Sequence, residues 1–207
     1  LPVATIAGNT TVCLNAASPN ITFTGTTGAA PYTFTYNING GPNQVVTTTV
    51  GNSVTVPVST ATAGTFTYNL LSVQEGSTNL CSQAQTGSVV VTVNALPTAT
   101  ISGDAEVCLN TASPNITFTG NTGTAPYTFT YTINGGPNQT ITTTTGNSVT
   151  LPVPTATAGT FIYSLVSVLE GSGTACSQVQ TGSATVIVNP LPTGNFTFTV
   201  PSCETRT

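Results

Sequence analysis

The residues Ala30 to Gln44 read APYTFTYNINGGPNQ, and Ala125 to Gln139 read APYTFTYTINGGPNQ. Cys13, Cys81 and Leu96-Pro97 likewise recur as Cys108, Cys176 and Leu191-Pro192, every pair at an offset of 95 with no insertion or deletion between the copies. A unit of this length is too long for a solenoid coil, whose repeats run to about 20–50 residues and bury a core only by stacking on neighbours. Each copy is therefore expected to be a domain with a core of its own, which a chain segment of roughly 95 residues can enclose. The expected organisation is a first module at residues 1–95, a second at 96–190, and the opening strand of a truncated or diverged third at 191–207.

Within a module the large apolar residues alternate with Thr and Asn. In Tyr32-Thr33-Phe34-Thr35-Tyr36-Asn37-Ile38 the big side chains share one face, the pattern of a half-buried strand. Asn39-Gly40-Gly41-Pro42 then supplies a turn, because Asn-Gly accepts positive φ and Pro delays the next strand. Further strands are expected near Ala4–Ala7, at Ile21 and Phe23, near Gln44–Thr49, at Val54–Val58, at Phe66–Leu70 and at Val89–Val93. The apolar phase slips between Leu70 and Leu71, which predicts a β-bulge. No segment has helical spacing. About seven strands per module, separated by Gly, Pro, Asn and Ser turns, describe an all-β antiparallel sandwich. The junction Val93-Asn94-Ala95-Leu96-Pro97-Thr98 is short and proline-bearing, so adjacent modules are expected to be joined stiffly.

Charged residues make up only 3% of the chain: Arg206, no Lys, no His, and the acids Glu75, Asp104, Glu106, Glu170 and Glu204. No basic stripe is available for phosphates, so nucleic acid is not an expected partner. Without His or Lys, neither a Ser-His-Asp nor a Cys-His nucleophile can be assembled, so no catalytic residues and no cofactor are expected. Asp104 and Glu106 would share a strand face, but the first module has Asn9 and Thr11 there, which favours a solvated edge over a working carboxylate pair. Glu75 and Glu170 are isolated acids, too few for a calcium cage, and no metal site is expected. No apolar run approaches the roughly 20 residues needed to span a bilayer, so direct membrane insertion is not expected. The opening LPVATIAG has no signal-peptide character and starts on the repeat boundary, so the chain reads as an excerpt of something longer.

Each module carries two cysteines at equivalent positions, with no CxxC and no His to make a zinc site. The pairing that keeps to the repeat is Cys13 with Cys81 and Cys108 with Cys176, the alternative being buried free thiols. Closing a loop of nearly seventy residues would stabilise each module by about 4 kcal/mol on chain-entropy grounds. Oxidised pairs would place the protein outside the cytoplasm. Cys203 aligns with Cys13 and Cys108 and is unpaired in this chain. Its strand, Phe196 to Val200, is expected either to continue into a further domain or to complete a neighbouring subunit.

The order of a Cys after a T-V or E-V pair, then SPNITFTG, APYTFTYxINGG, ATAGTFxYxLxSV, CSQxQTGSxxVxVN and a closing LPT, resembles the tandem PKD-like or Ig-like repeats of large secreted Bacteroidetes surface proteins. The resemblance covers Leu1 to Pro190. It implies export by a type IX secretion system, association with gliding-motility adhesins, an extracellular cell-surface location, and no catalytic residues to carry over. The expected function is a non-enzymatic structural or adhesive stalk. Its expected partners are surface glycans or other extracellular proteins, with self-association into fibres. The rival reading is a carbohydrate-binding module array on a secreted polysaccharide-degrading enzyme. Such modules stack sugars on exposed rings, whereas Tyr32, Phe34, Tyr36 and Tyr68 all fall on the inward phase and there is no Trp. Two further readings attach to the polar surface. The Thr-x-Thr runs could face ice or mineral, although sandwich sheets twist and β-propensity accounts for the Thr. Asn9, Asn20, Asn115, Asn138 and Asn195 each begin an N-x-T sequon.

Overall fold

The computed structural model describes residues 1–194; the strand expected at Phe196–Val200 and Cys203 lie outside the described residues. The first module has strands β1 (Val3–Ala7), β2 (Thr10–Cys13), β3 (Asn20–Thr27), β4 (Thr33–Ile38), β5 (Gln44–Thr47), β6 (Ser53–Pro57), β7 (Gly64–Gln74), β8 (Ser82–Ala84) and β9 (Ser88–Asn94). The second repeats the series as β10 (Ala99–Ser102), β11 (Ala105–Cys108), β12 (Asn115–Gly120), β13 (Thr128–Ile133), β14 (Gln139–Thr142), β15 (Ser148–Pro152), β16 (Gly159–Leu169), β17 (Ser177–Val179) and β18 (Ser183–Asn189). All seven expected strands are present in the first module, and β2 and β8 add two short ones.

Each module is two facing sheets. In the first, β1-β3-β6 forms the smaller sheet and β2-β9-β7-β4-β5 the larger, with β8 paired to part of β7. The second copies this order as β10-β12-β15 and β11-β18-β16-β13-β14, with β17 on β16. All pairings are antiparallel except β2 with β9 and β11 with β18. A first strand split between both sheets, its second half running parallel to the last strand, is the immunoglobulin-like arrangement. The split occurs at Gly8-Asn9. Gly8 has φ +129, and a Cβ there would stand 2.7 Å from the Asn20 carbonyl oxygen, so no side chain fits where the chain crosses over. Asn9 Oδ1 then accepts a hydrogen bond from the Val90 amide at 2.6 Å and fixes the crossing to the larger sheet.

The inward phase read from the alternation is the buried one. Ile21, Phe23, Phe34, Val73 and Val91 have no exposed surface, and Tyr32, Tyr36, Tyr68 and Leu70 are at most 5% exposed. Phe23 bridges the two sheets, its ring centroid 5.6 Å from Phe34 and 5.0 Å from Tyr36. Phe118 repeats this against Phe129 and Tyr131 at 5.6 and 5.1 Å. The two cores have no residue in common. The expected bulge is also there: Thr35 pairs with Ser72 and Tyr36 with Leu70, leaving Leu71 as the extra residue. Its purpose is visible in the burial pattern. Skipping one residue lets Tyr68, Leu70 and then Val73 all face inward along an 11-residue strand.

Tyr32 closes one end of the core. Its amide donates to Thr48 Oγ1 at 2.8 Å, its carbonyl accepts from the Thr48 amide at 2.9 Å, and its hydroxyl donates to the Gly28 carbonyl at 2.7 Å. The ring lies flat over Gly25, where a Cβ would stand 2.7 Å from the ring carbons. Gly25→Ala is therefore expected to destabilise the first module by about 1–3 kcal/mol, the usual range for overpacking. A thermal melt checks this, and an unchanged midpoint would show that the ring can move aside freely.

Candidate functional site

Strand register gives each module two chemically distinct poles. Cys13 ends β2 level with Asn94, the last residue of β9, at the pole from which the chain leaves the module. Gly64, at the start of β7, lies at this same exit pole, paired with Val93. Cys81 follows the far end of β7, its carbonyl bonded to the Glu75 amide at 3.0 Å, at the pole where the chain enters. From Gly64 to Gln74 the strand rises about 33 Å at 3.3 Å per residue. The two cysteines of one module are thus separated by the length of the sandwich. A disulfide needs Cα atoms about 4.4–6.8 Å apart.

The expected pairs Cys13–Cys81 and Cys108–Cys176 accordingly do not form. The bond joins Cys13 of the first module to Cys176 of the second, with Cα atoms 5.6 Å apart and a sequence separation of 163. Cys81 and Cys108 are free thiols. The expectation rested on periodicity, but a bond from the first cysteine of one module to the second cysteine of the next is just as periodic. Consecutive modules meet exit pole to entry pole, so only the between-module pair comes within bonding distance.

A three-residue polar support holds the entry-pole cysteine. Glu170 Oε2 accepts from the Thr124 amide at 2.8 Å, while Glu170 Oε1 accepts from the Ser172 hydroxyl and, at 3.4 Å, from the Cys176 amide. Glu75 makes the equivalent bonds to the Ala29 amide at 2.9 Å and to Ser77 Oγ at 3.1 Å. These isolated acids are loop organisers. Just before each second cysteine, Leu80 and Ala175 hold φ of 45 and 51, a left-handed turn that non-glycine residues seldom take. The amide of Ala175 closes that turn onto the Ser172 carbonyl at 2.9 Å, and Leu80 does the same with Ser77.

Those hydrogen bonds, the Ala29 amide first and Ser77 second, hold the Glu75 carboxyl below its ordinary value. A depressed folded value means that the loop gains stability from the carboxylate at pH above the unfolded glutamate value. That gain is lost as pH falls through the folded value. Acidification is therefore expected to loosen the Ser77–Cys81 loop while the β-sheet signal persists, seen as a lower protection factor at the Ala29 amide, with the intrinsic exchange rate at each pH divided out, and faster alkylation of Cys81 relative to a free-thiol standard. A protection factor at Ala29 that is unchanged by acid would contradict it.

The joint itself is short. Four residues, Ala95 to Thr98, connect β9 to β10. Pro97 is buried, its carbonyl accepts from Gln180 Nε2 at 3.4 Å, and the Ala99 amide donates to Gln180 Oε1 at 3.0 Å. Across the joint Asn94 Nδ2 donates to Thr174 Oγ1 at 3.3 Å, and Cys13 Sγ lies 4.0 Å from the Thr174 carbonyl oxygen. The contact changes the burial of equivalent residues. Cys176 is 1% exposed and Glu170 3%, whereas Cys81 and Glu75 are only half-buried.

Asp104 and Glu106 do not act as a pair. Asp104 Oδ1 accepts from the Thr185 amide at 2.6 Å, as Asn9 does in the first module, and Glu106 Oε1 accepts from Asn189 Nδ2 at 2.8 Å. The alternation did not indicate one other feature, an open apolar hollow at the same place in both modules. Ile133, Val153, Pro154, Thr157, Phe161 and Tyr163 line about 320 Å³ in the second. Ile38, Val58, Ser59, Thr62, Phe66 and Tyr68 line about 250 Å³ in the first. Among the described residues no three His, Cys, Asp or Glu side chains come together as a metal-binding group. Nor, among the described residues, is any helix long and apolar enough to cross a membrane.

Two immunoglobulin-like sandwiches in tandem, linked through their poles, define the class of architecture. No family description matches the sequence, and no curated protein does. Solved structures do resemble it. One is from an Antarctic bacterium, described as a Ca2+-stabilized adhesin that helps the bacterium reach out and bind ice. It is 18% identical with a TM-score of 0.54, over 92% of this chain and 50% of that one. A 1.5-MDa bacterial ice-binding adhesin is 16% identical with a TM-score of 0.48, over 90% of this chain and 65% of that one. A tetra-tandem repeat in the extending region of a large adhesion protein is 17% identical with a TM-score of 0.34, over 91% of this chain and 50% of that one. This chain spans about half the length of the first. At 18% identity, what the chain shares with the first is the fold.

Proposed function

We propose that the chain is a non-enzymatic extracellular spacer: two repeats of a bacterial cell-surface adhesin that hold a binding surface away from the cell. The observation that carries this reading is the Cys13–Cys176 bond between modules. A disulfide placed across a joint does little for either core, each of which is already complete, but it restricts how the modules move relative to each other. Extracellular oxidising conditions are where such a bond persists. The adhesin whose fold the chain shares is described as calcium-stabilised. Here the staple, the proline-bearing linker and the Gln180 bonds provide stiffness by another route. Type IX export and a gliding-motility role are what the resemblance of the repeat motifs implies, and with assembly into fibres they belong to this proposal.

The carbohydrate-binding alternative has less support, since Tyr32, Tyr36, Tyr68, Tyr127, Tyr131 and Tyr163 are all at most 5% exposed and offer no stacking platform. Small-angle scattering of the oxidised chain tests the spacer reading. Two sandwiches of roughly 40 Å each, set end to end, should give a narrow elongated distance distribution reaching about 80–90 Å. A compact distribution, or a broad one with many inter-module angles, would overturn it.

A further inference from the structure

The staple uses one pole from each module and leaves the complementary poles at the two ends of the pair. The exit pole of the second module carries Cys108, exposed and free, and the entry pole of the first carries Cys81, half-buried and free. We propose that these outer poles are two halves of the same joint, so that Cys108 of one module pair docks on and forms a disulfide with Cys81 of a second copy of the pair, head to tail. This deepens the fibre-assembly part of the proposed function, but its argument is the geometry of the Cys13–Cys176 joint, so it can fail while the spacer reading stands.

Each half is built as its stapled counterpart is. Cys108 ends β11 level with Asn189 and Leu109 donates to the Asn189 carbonyl at 2.8 Å, as Cys13 lies level with Asn94 and Leu14 donates to Asn94 at 2.8 Å. On the entry side, Ser77–Leu80 has the length of Ser172–Ala175 and the same turn. Leu80 and Ala175 share their left-handed φ, Glu75 and Glu170 the same support, and Cys81 and Cys176 the same carbonyl bond at 3.0 Å. Three residues of the entry loop differ: Thr78 for Gly173, Asn79 for Thr174 and Leu80, 57% exposed, for Ala175. Asn79 stands where Thr174 does, and its side-chain oxygen can accept from Asn189 as Thr174 accepts from Asn94. Asn189 must first leave Glu106 or use its second hydrogen, which makes this joint somewhat weaker than the one between the modules.

Bond formation needs an oxidant, here a low-molecular-weight disulfide such as glutathione disulfide. The exposed Cys108 thiolate attacks it, forming a mixed disulfide and releasing one glutathione thiolate. The Cys81 thiolate of the second copy then attacks the Cys108 sulfur and expels the other. One protein S–S bond forms, two protein thiols lose their protons, and the small disulfide is reduced to two thiols.

The test uses the full chain with Cys203→Ser, so that the only free thiols are Cys81 and Cys108, in a glutathione buffer, read by non-reducing electrophoresis and mass mapping. The chain with both thiols should form a ladder of covalent oligomers that reductant collapses. Adding Cys81→Ser or Cys108→Ser should each abolish the ladder. An equimolar mixture of those two variants should give the Cys81–Cys108 heterodimer in about tenfold excess over either homodimer, because docking raises the effective concentration of only the complementary thiols. Heterodimer and homodimers in statistical proportion, or no cross-linking while the Cys13–Cys176 bond stays intact, would overturn the proposal.

Discussion

Phe23→Ala is expected to unfold the first module while leaving the second at its original melting temperature. Phe23 sits on β3 in the smaller sheet with no exposed surface, and its ring is in contact with Phe34 and Tyr36 of the larger sheet, so it is the main bridge between the layers. Truncating a buried Phe to Ala costs about 3–5 kcal/mol from lost transfer energy and the cavity left behind. That is a large share of the roughly 5–15 kcal/mol that a domain has in total. The second module has its own cluster around Phe118, so the loss is not transmitted. Calorimetry should resolve two transitions where the unmodified chain shows closely spaced ones, and Phe118→Ala should produce the mirror image. A single transition that shifts as a whole in both variants would show that the two cores are coupled.

Cys13→Ser should have the opposite character: a large change in shape and little change in the folding of either module. The variant removes a cross-link between sites 163 residues apart, which on chain-entropy grounds constrains the fully unfolded chain by about 5 kcal/mol. Far less of that appears when one module unfolds beside a folded neighbour. What the native state loses is the covalent cross-link over the joint. The four-residue linker, the Gln180 bonds to Pro97 and Ala99, and the single bond from Asn94 to Thr174 remain. Scattering should show a broader distance distribution, while circular dichroism stays that of the oxidised chain. Cys176→Ser should behave the same way, and Cys108→Ser should not. Unchanged scattering in Cys13→Ser would mean that the linker alone sets the angle.

The sequence by itself determined the fold within a module. Period-two alternation places Phe23, Phe34, Tyr36 and Val91 on the buried face because adjacent side chains of a strand point to opposite sides, a rule with no long-range input. The bulge at Leu71 was legible for the same reason, since a slip in the apolar phase requires a residue to be skipped. With no His or Lys in the sequence, neither a Ser-His-Asp nor a Cys-His site can be assembled, which needs no structure to see.

The cysteine pairing was decided only in three dimensions. A repeat of 95 residues is compatible with any bond whose offset is preserved from copy to copy, so periodicity could not distinguish a bond within a module from one between modules. What distinguishes them is direction. β7 runs antiparallel to β9 and carries Cys81 to the pole opposite Cys13, and the short linker then brings the exit pole of one module against the entry pole of the next. The small short-range devices followed from the same cause. Glu170 reaching back to the Thr124 amide, Asn9 and Asp104 capping the crossover strands, and the paired hollows beside Phe66 and Phe161 all join residues remote in sequence. Local pattern fixes which way a side chain faces, whereas its partner depends on where the sheets bring distant segments together.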